Sequence, residues 1–506
     1  MLRTAQRGTG RCDRRDRLVV AAQLRQKTTV GVAWSLLERA VFRGVGVLVT
    51  LVLAWFVVPE SFALIAVVSV CLAFVNVIVD GGMTDALIRM RACSTSVLNT
   101  VFVCNLVAAV AMYAGLCAAA PFLAEFFRQP SLVRLLPVGA LATLFYALSA
   151  VHRAQLVRKM NFRVQMRVSF PAAFCSGLIA ILLAMLGFGV WALVFQIVLQ
   201  AALQAALYWR VSDWRPQLKF HWQDFREIFA FSGFLLLARI LNVPFRHMYV
   251  IVITRLYAPE VAGLYFFAER VRNLLLDQLV AAIQSVTYPA LSSLQNDDAR
   301  LKQGYRDIVA TSAFLFAPLV IAVVVLAPLF VEVILPERWL SASPYLQLTI
   351  LAGLLYPLHA VNINIMKVKR RADLVFWVGV VKKCMAVGVL LVSLRWGVMG
   401  VLVGQVINSF LSFLPNSYCS KRLLGYTSWE QVVDYAPSVL LAIAAGGFAT
   451  GLQLLLDLTP VLALPMAAVA MLATYGSLAY LFGMRGLRFG LAILGDLSSR
   501  RSQSDC

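Results

Sequence analysis

Apolar runs long enough to cross a bilayer recur along the whole chain, and that one feature excludes most folds. Residues 314–331, for example, read FLFAPLVIAVVVLAPLFV without a single charge. Hydrocarbon offers no water to exposed N–H and C=O groups, so only α-helices and closed β-barrels cross it. A barrel strand needs only ~9–11 residues and a helix ~20, and the runs here have helical length.

The overall composition agrees. Of 506 residues, 61% are hydrophobic and 14% charged, against about 45–50% and ~25% in soluble domains. The net charge of +21 would suggest nucleic acid in a soluble protein; here it fits the excess of Lys and Arg in cytoplasmic loops, and no nucleic-acid partner is expected. The nine cysteines are scattered through apolar segments with no metal-ligand or disulfide spacing. They read as small apolar fillers, and neither a metal nor a cofactor is expected.

Polar punctuation divides the chain into fourteen predicted spanning helices, at 28–58, 61–88, 97–124, 131–152, 168–188, 190–209, 229–257, 260–290, 307–335, 343–366, 373–395, 397–419, 434–456 and 460–483. The fold class is therefore an all-α polytopic membrane protein. With the N-terminus inside, the inner loops and both tails hold thirty-two Lys and Arg. The outer loops hold five: Arg128, Arg134, Arg255, Arg338 and Arg395. This alternation predicts a topology with both termini cytoplasmic.

The chain also repeats itself. LLERAVFRGVGVLVTLVLAWFVVPESFAL (36–64) aligns without a gap to LLARILNVPFRHMYVIVITRLYAPEVAGL (236–264), sharing Leu36, Leu37, Arg39, Pro59, Glu60 and Leu64. A looser echo joins AVHRAQLVRK (150–159) to AVNINIMKVK (360–369). Two parallel six-helix repeats are expected, with a substrate site between them. The chain then divides into a basic tail (1–27), an N-lobe (28–209), a linker (210–228), a C-lobe (229–423), two further helices (424–483) and a second basic tail (484–506). In the linker, Trp222, Phe225 and Phe229 share one helical face. This fits either a short interfacial helix or a plain polar connector.

Eight basic residues fall inside predicted helices: Arg39, Arg43, Arg239, Arg246, Arg270, Arg272, Lys382 and Lys383. Charges at bilayer depth are costly and normally face a bundle interior or a water-filled cavity. Arg39, Arg43, Gly46 and Thr50 form one stripe, and Arg239, Asn242, Arg246 and Tyr249 another. Arg39 and Arg239 are also placed to anchor the inner interface by snorkelling, while Arg43 and Arg246 lie one or two turns deeper. Glu269 and Arg272 form an i, i+3 pair, and Glu269, Asn273 and Asp277 share a face. Glu269 suits either interhelical pairing or protonation, and Glu38 an ion pair with a neighbouring cation. Gln196, Gln200 and Gln204, with Gln405 and Asn408, are polar candidates for a cavity wall or for interhelical hydrogen bonds. Asp80 and Asp85 read as helix-end or gate contacts.

Three motifs carry a family resemblance. LAWFVVPESFALIAVV (53–68), DGGMTDALIRMR (80–91) and SVTYPALSSLQND (285–297) resemble motifs of the Wzx-type flippases. These form the polysaccharide-transporter branch of the multidrug/oligosaccharidyl-lipid/polysaccharide exporter superfamily. Trp55-Phe56 and Ala63 depart from that pattern, whereas Arg255-Leu256 and Gly263 keep it in the second repeat.

The resemblance implies a V-shaped pair of six-helix lobes around a central cavity, with two extra C-terminal helices. It also implies an undecaprenyl-pyrophosphate-linked oligosaccharide as substrate, in a bacterial inner membrane, with membrane lipids and the polymerase and chain-length proteins of the same pathway as partners. No covalent step is needed, so a transporter rather than an enzyme is expected. The alternatives are a multidrug or lipid II exporter of the same superfamily, or a membrane polysaccharide polymerase or ligase. Short outer loops speak against the last of these.

Overall fold

The computed structural model describes residues 44–90, 93–159 and 161–487. Among them every regular element is helical. The chain separates into two compact units, one formed by Val68–His247 with the described residues up to Thr50, the other by Leu51–Val67 with the residues from Met248 onward.

The first unit is built from the second half of α2 (Pro59–Asp80) and from α3 (Met83–Arg89), α4 (Thr95–Phe126), α5 (Leu132–Arg158), α6 (Phe162–Met185), α7 (Val190–Val211) and α8 (Trp222–Arg246). Its packing centres on α5, which lies against α4 and α7. The face of α5 explains why: Gly139, Ala140, Ala142, Ala147, Ala150 and Ala154 are all buried. A Cβ at Gly139 would stand 2.8 Å from Val68. In lipid, helices associate through close packing rather than hydrophobic expulsion, and small residues permit that approach.

The second unit contains α9 (Met248–Leu256), α10 (Pro259–Ser293), α11 (Asp298–Ile334), α12 (Ala342–Leu351), α13 (Tyr356–Val368), α14 (Ala372–Ser393), α15 (Gly397–Leu411), α16 (Phe413–Leu424), α17 (Ser428–Leu456) and α18 (Pro460–Leu481). The segment 51–67, which contains the last six residues of the short apolar helix α1 (Gly44–Phe56), is held here by aromatic packing. Phe62, Phe267 and Trp339 are buried with ring centroids 4.7–6.1 Å apart, and Trp339 Nε1 donates to the Ala54 carbonyl at 2.8 Å.

Among the described residues eleven helices are long and apolar enough to cross a membrane, or twelve when the bent pair Trp222–Ala230 and Ser232–Arg246 counts as one span. The chain is thus a multi-pass membrane protein. Several single spans expected from sequence are broken. The span expected at 61–88 divides at Gly81 and Gly82, both at positive φ. The one expected at 229–257 starts earlier, bends by 55° and breaks at His247, just after Pro244, whose missing N–H weakens the ladder. The one expected at 343–366 divides at residues 352–355, and that expected at 397–419 at Ser412. The opposite error occurs at α11 and α17, whose helices begin at Asp298 and Ser428, well before the apolar runs. Side-chain caps, from Asp297 to Arg300 N and from Thr427 to Glu430 N, start them in the polar region.

Candidate functional site

In the second unit α10 carries the most deeply set charges. Its start is fixed by close approach: a Cβ on Gly263 would lie 1.7 Å from the Pro59 carbonyl oxygen, so only glycine fits. One turn further Phe267 locks into the aromatic group described above, and the next turn presents Glu269, Arg270 and Arg272.

Arg272 is buried. Its Nε and Nη2 donate to Asn273 Oδ1 at 3.2 and 2.9 Å, and Nη2 meets Glu269 Oε1 at 3.4 Å. Its Nη1 is buried without a hydrogen-bond partner, as are the hydroxyls of Tyr249 on α9 and Tyr265 on α10. Tyr356 and Asp277 complete the electrostatic surroundings of this guanidinium. Arginine and phenol groups within electrostatic range of one another therefore keep hydrogen-bonding capacity to spare. Such a constellation suits an anion with several oxygens. Arg270, beside it, is half-buried.

A second polar group joins α13, α14, α15 and α16. His359 accepts at Nδ1 from Asn416 at 2.9 Å, which leaves Nε2–H to face the Ser409 carbonyl at 3.2 Å. Lys382 is half-buried within electrostatic range of that ring. Gln405 Oε1, Asn408 Oδ1 and Ser409 Oγ are buried without hydrogen-bond partners. Lys383 is half-buried on the adjacent position of α14.

In the first unit Arg239 Nη1 pairs with Asp80 Oδ2 at 2.9 Å, and its Nη2 with Asp85. Gln196 is buried on α7 and Gln200 half-buried one turn on. Arg246 is exposed in the last turn of α8. Arg39, Arg43 and Glu38 lie outside the described residues. Thus Glu269 and Arg272 meet at the i, i+3 spacing, with Asp277 within electrostatic range, while Arg239 meets carboxylates rather than standing alone.

Sequence reasoning missed the most connected carboxylate. Asp434 on α17 accepts from Arg306 at 2.8 and 3.0 Å, Tyr426 at 2.8 Å and Arg485 at 3.2 Å. Burial, and this hydrogen bond to a carboxylate, push the Tyr426 phenol well above its usual range. Nearby, Tyr305, Asn362, Ser420 and Gln431 form a buried hydrogen-bonded network. The signal was the TSWE sequence at 427–430, a capping box that starts α17 six residues before its apolar run.

A model of the family described as Polysaccharide biosynthesis protein matches residues 52–344, more than half of the chain. The chain belongs to that family.

Relatives of this polysaccharide biosynthesis protein include the Succinoglycan biosynthesis transport protein ExoT of Rhizobium meliloti (strain 1021), 28% identical over 65% of this chain and 67% of its own. The Lipopolysaccharide biosynthesis protein WzxC of Escherichia coli (strain K12) is 23% identical over 84% and 88%. The Teichuronic acid biosynthesis protein TuaB of Bacillus subtilis (strain 168) is 24% identical over 60% of this chain, and the match spans 63% of TuaB. The fold resembles that of Lipid II flippase MurJ in an inward closed conformation, with a TM-score of 0.68 at 13% identity over 89% of this chain and 98% of MurJ. It also resembles an inward-facing multidrug resistance MATE family transporter of the MOP superfamily, with a TM-score of 0.58 at 16% identity over 77% and 96%. The fold is therefore MATE- and MurJ-like, and these relatives are named for the biosynthesis or transport of teichuronic acid, succinoglycan and lipopolysaccharide.

Proposed function

We propose that this protein is a flippase for a polysaccharide repeat unit linked to undecaprenyl pyrophosphate. It moves that unit from the inner to the outer leaflet of a bacterial inner membrane, for exopolysaccharide, O-antigen or capsule synthesis. The observation that carries this reading is Arg272 of the membrane-spanning α10, a buried guanidinium with an unpartnered Nη1, within electrostatic range of Tyr249, Tyr265 and Tyr356. A diphosphate-linked sugar cannot enter hydrocarbon without such partners. Transport is by alternating access through a cationic cavity, to which Arg43, Arg246, Arg39, Arg239, Arg270, Lys382 and Lys383 also belong in this reading.

Fourteen crossings with both termini inside fit the chain best. The apolar stretch Ala372–Leu424 counts once by length, but its 53 residues would extend about 80 Å as one helix. It is instead interrupted at Leu394–Trp396, and α14 packs on α15. The positive-inside distribution sets the orientation. The partners are the lipid-linked glycan, surrounding lipids and the polymerase and chain-length proteins of the pathway.

Deletion of the gene, followed by analysis of surface polysaccharide and lipid-linked intermediates, tests the assignment. Loss of polymer with accumulation of inner-leaflet repeat units supports it. Intact polymer with altered drug tolerance would replace it with a multidrug exporter, and loss of peptidoglycan synthesis with a lipid II exporter.

A further inference from the structure

α8 rests on the rest of the first unit through two polar contacts and one close backbone approach, spaced along its length. Near its start Ser96 on α4 donates to Asp224. Further on, Gly82 sits at φ +70° in the break between α2 and α3, so close to α8 that a Cβ would stand 3.0 Å from the Ser232 carbonyl oxygen. Two turns later Arg239 bridges Asp80 and Asp85, which flank that same break. The break therefore serves as a cradle: its glycine admits the backbone of α8, and the carboxylates on either side grip one guanidinium.

This grip is ill suited to permanence. The side chains of Arg239 and Asp85 are 39% and 40% exposed, so solvent screens the bridge and little is lost when it opens. Asp80 is buried, and its Oδ1 has no hydrogen-bond partner among the described residues. Tyr146 and Arg153 on α5 are further electrostatic neighbours of Asp80. A static support is better built with every lone pair of the buried carboxylate bonded. The helix it holds is itself articulated. It bends by 55° between Trp222–Ala230 and Ser232–Arg246, and it ends at the His247 break, where the chain passes from the first unit to the second.

We propose that Asp80 and Asp85 are positioning residues for transport. Through Arg239 they dock α8 reversibly on the α2–α3 break, and release of that docking is a required step of the cycle. The inference rests on the flippase reading for its transport half, while the docking itself is measurable without any substrate.

The test uses the full chain with its native cysteines replaced by serine or alanine and Ser232→Cys added, a near-isosteric change at a fully buried position. Labelling by a membrane-impermeant maleimide is followed in membrane vesicles. Cys at 232 is expected to label slowly in this parent and at least tenfold faster with Arg239→Gln. Asp85→Asn, which leaves the Asp80 contact, is expected to give an intermediate rate, and the exchange Asp85→Arg with Arg239→Asp to return towards the parent. Arg239→Gln labelling within twofold of the parent overturns the docking. In a second arm Ser96→Cys and Asp224→Cys are joined by a bifunctional thiol reagent, with the cross-link verified by mass. Blocked polymer export is expected, and export at the parent's rate overturns the release step. If the parent supports no polymer export while Cys at 232 still responds to Arg239→Gln, the docking stands and the flippase reading falls instead.

Discussion

Arg306 grips Asp434 with two parallel hydrogen bonds, Nε to Oδ2 at 2.8 Å and Nη2 to Oδ1 at 3.0 Å. The carboxylate is almost wholly buried, whereas a quarter of the Arg306 side chain stays exposed. Together with the Tyr426 hydroxyl, it ties α11, α17 and the connector between α16 and α17 into one body. Asp434→Asn keeps the shape but removes the charge that the arginines match. It is expected to destabilise the protein by about 2–3 kcal/mol, the range of hydrogen bonds to charged groups. Thermal unfolding in detergent should report a lowered midpoint, and Asp434→Ala a larger drop.

The approach of Gly263 to Pro59 gives a sharper contrast. A methyl group at 263 would overlap the Pro59 carbonyl, with the carbonyl carbon only 2.4 Å away. Since a backbone atom stands in the way, no rotamer change relieves the clash. Gly263→Ala is expected to abolish the monodisperse, detergent-extracted protein. Gly388→Ala on α14, where nothing lies within 4 Å, is the matched control and is expected to extract normally, since Ala in a helix costs ~0.5–1 kcal/mol less than Gly.

The membrane class, most helix positions and the Glu269–Arg272 pair are legible because lipid imposes long apolar runs and a helix imposes its own spacing. Each of those signals is local. The cleavage of one expected span into α12 and α13 falls between Gly353 and Pro357, and the tight approach of Gly353 to Leu276 of α10 there is not legible from local spacing. Arg239 and Asp80 are separated by 159 positions, and no spacing rule joins them. Tyr249 and Tyr356 reach Arg272 from other helices for the same reason. Asp434 escaped notice because α17 continues past its apolar run into the polar region, where hydropathy carries no helical signal.

Glu269 lies against Arg272, both side chains 9% exposed. Glu269→Gln keeps the shape of the side chain but removes the charge that faces the guanidinium. It is expected to lower polymer export or proteoliposome transport while the amount of membrane-inserted protein stays unchanged. Export at the parent's rate would limit Glu269 to holding Arg272 in place.

Arg272 separates structure from transport most cleanly. Its planar fork reaches Asn273 from two nitrogens and leaves Nη1 buried without a hydrogen-bond partner. Lysine supplies the charge as a point and cannot span these partners at once. Arg272→Lys is expected to insert and extract normally while export falls at least tenfold. Removing Arg272 alone would leave the buried Glu269 carboxylate without this partner, so both ions are exchanged: Arg272→Met with Glu269→Leu keeps apolar volume, and replacing a whole buried ion pair by apolar side chains of similar size is often neutral or better for stability. The double variant should therefore preserve the folded protein and abolish export. Retained export in it, measured beside an unchanged amount of membrane-inserted protein, would remove this guanidinium from the substrate path.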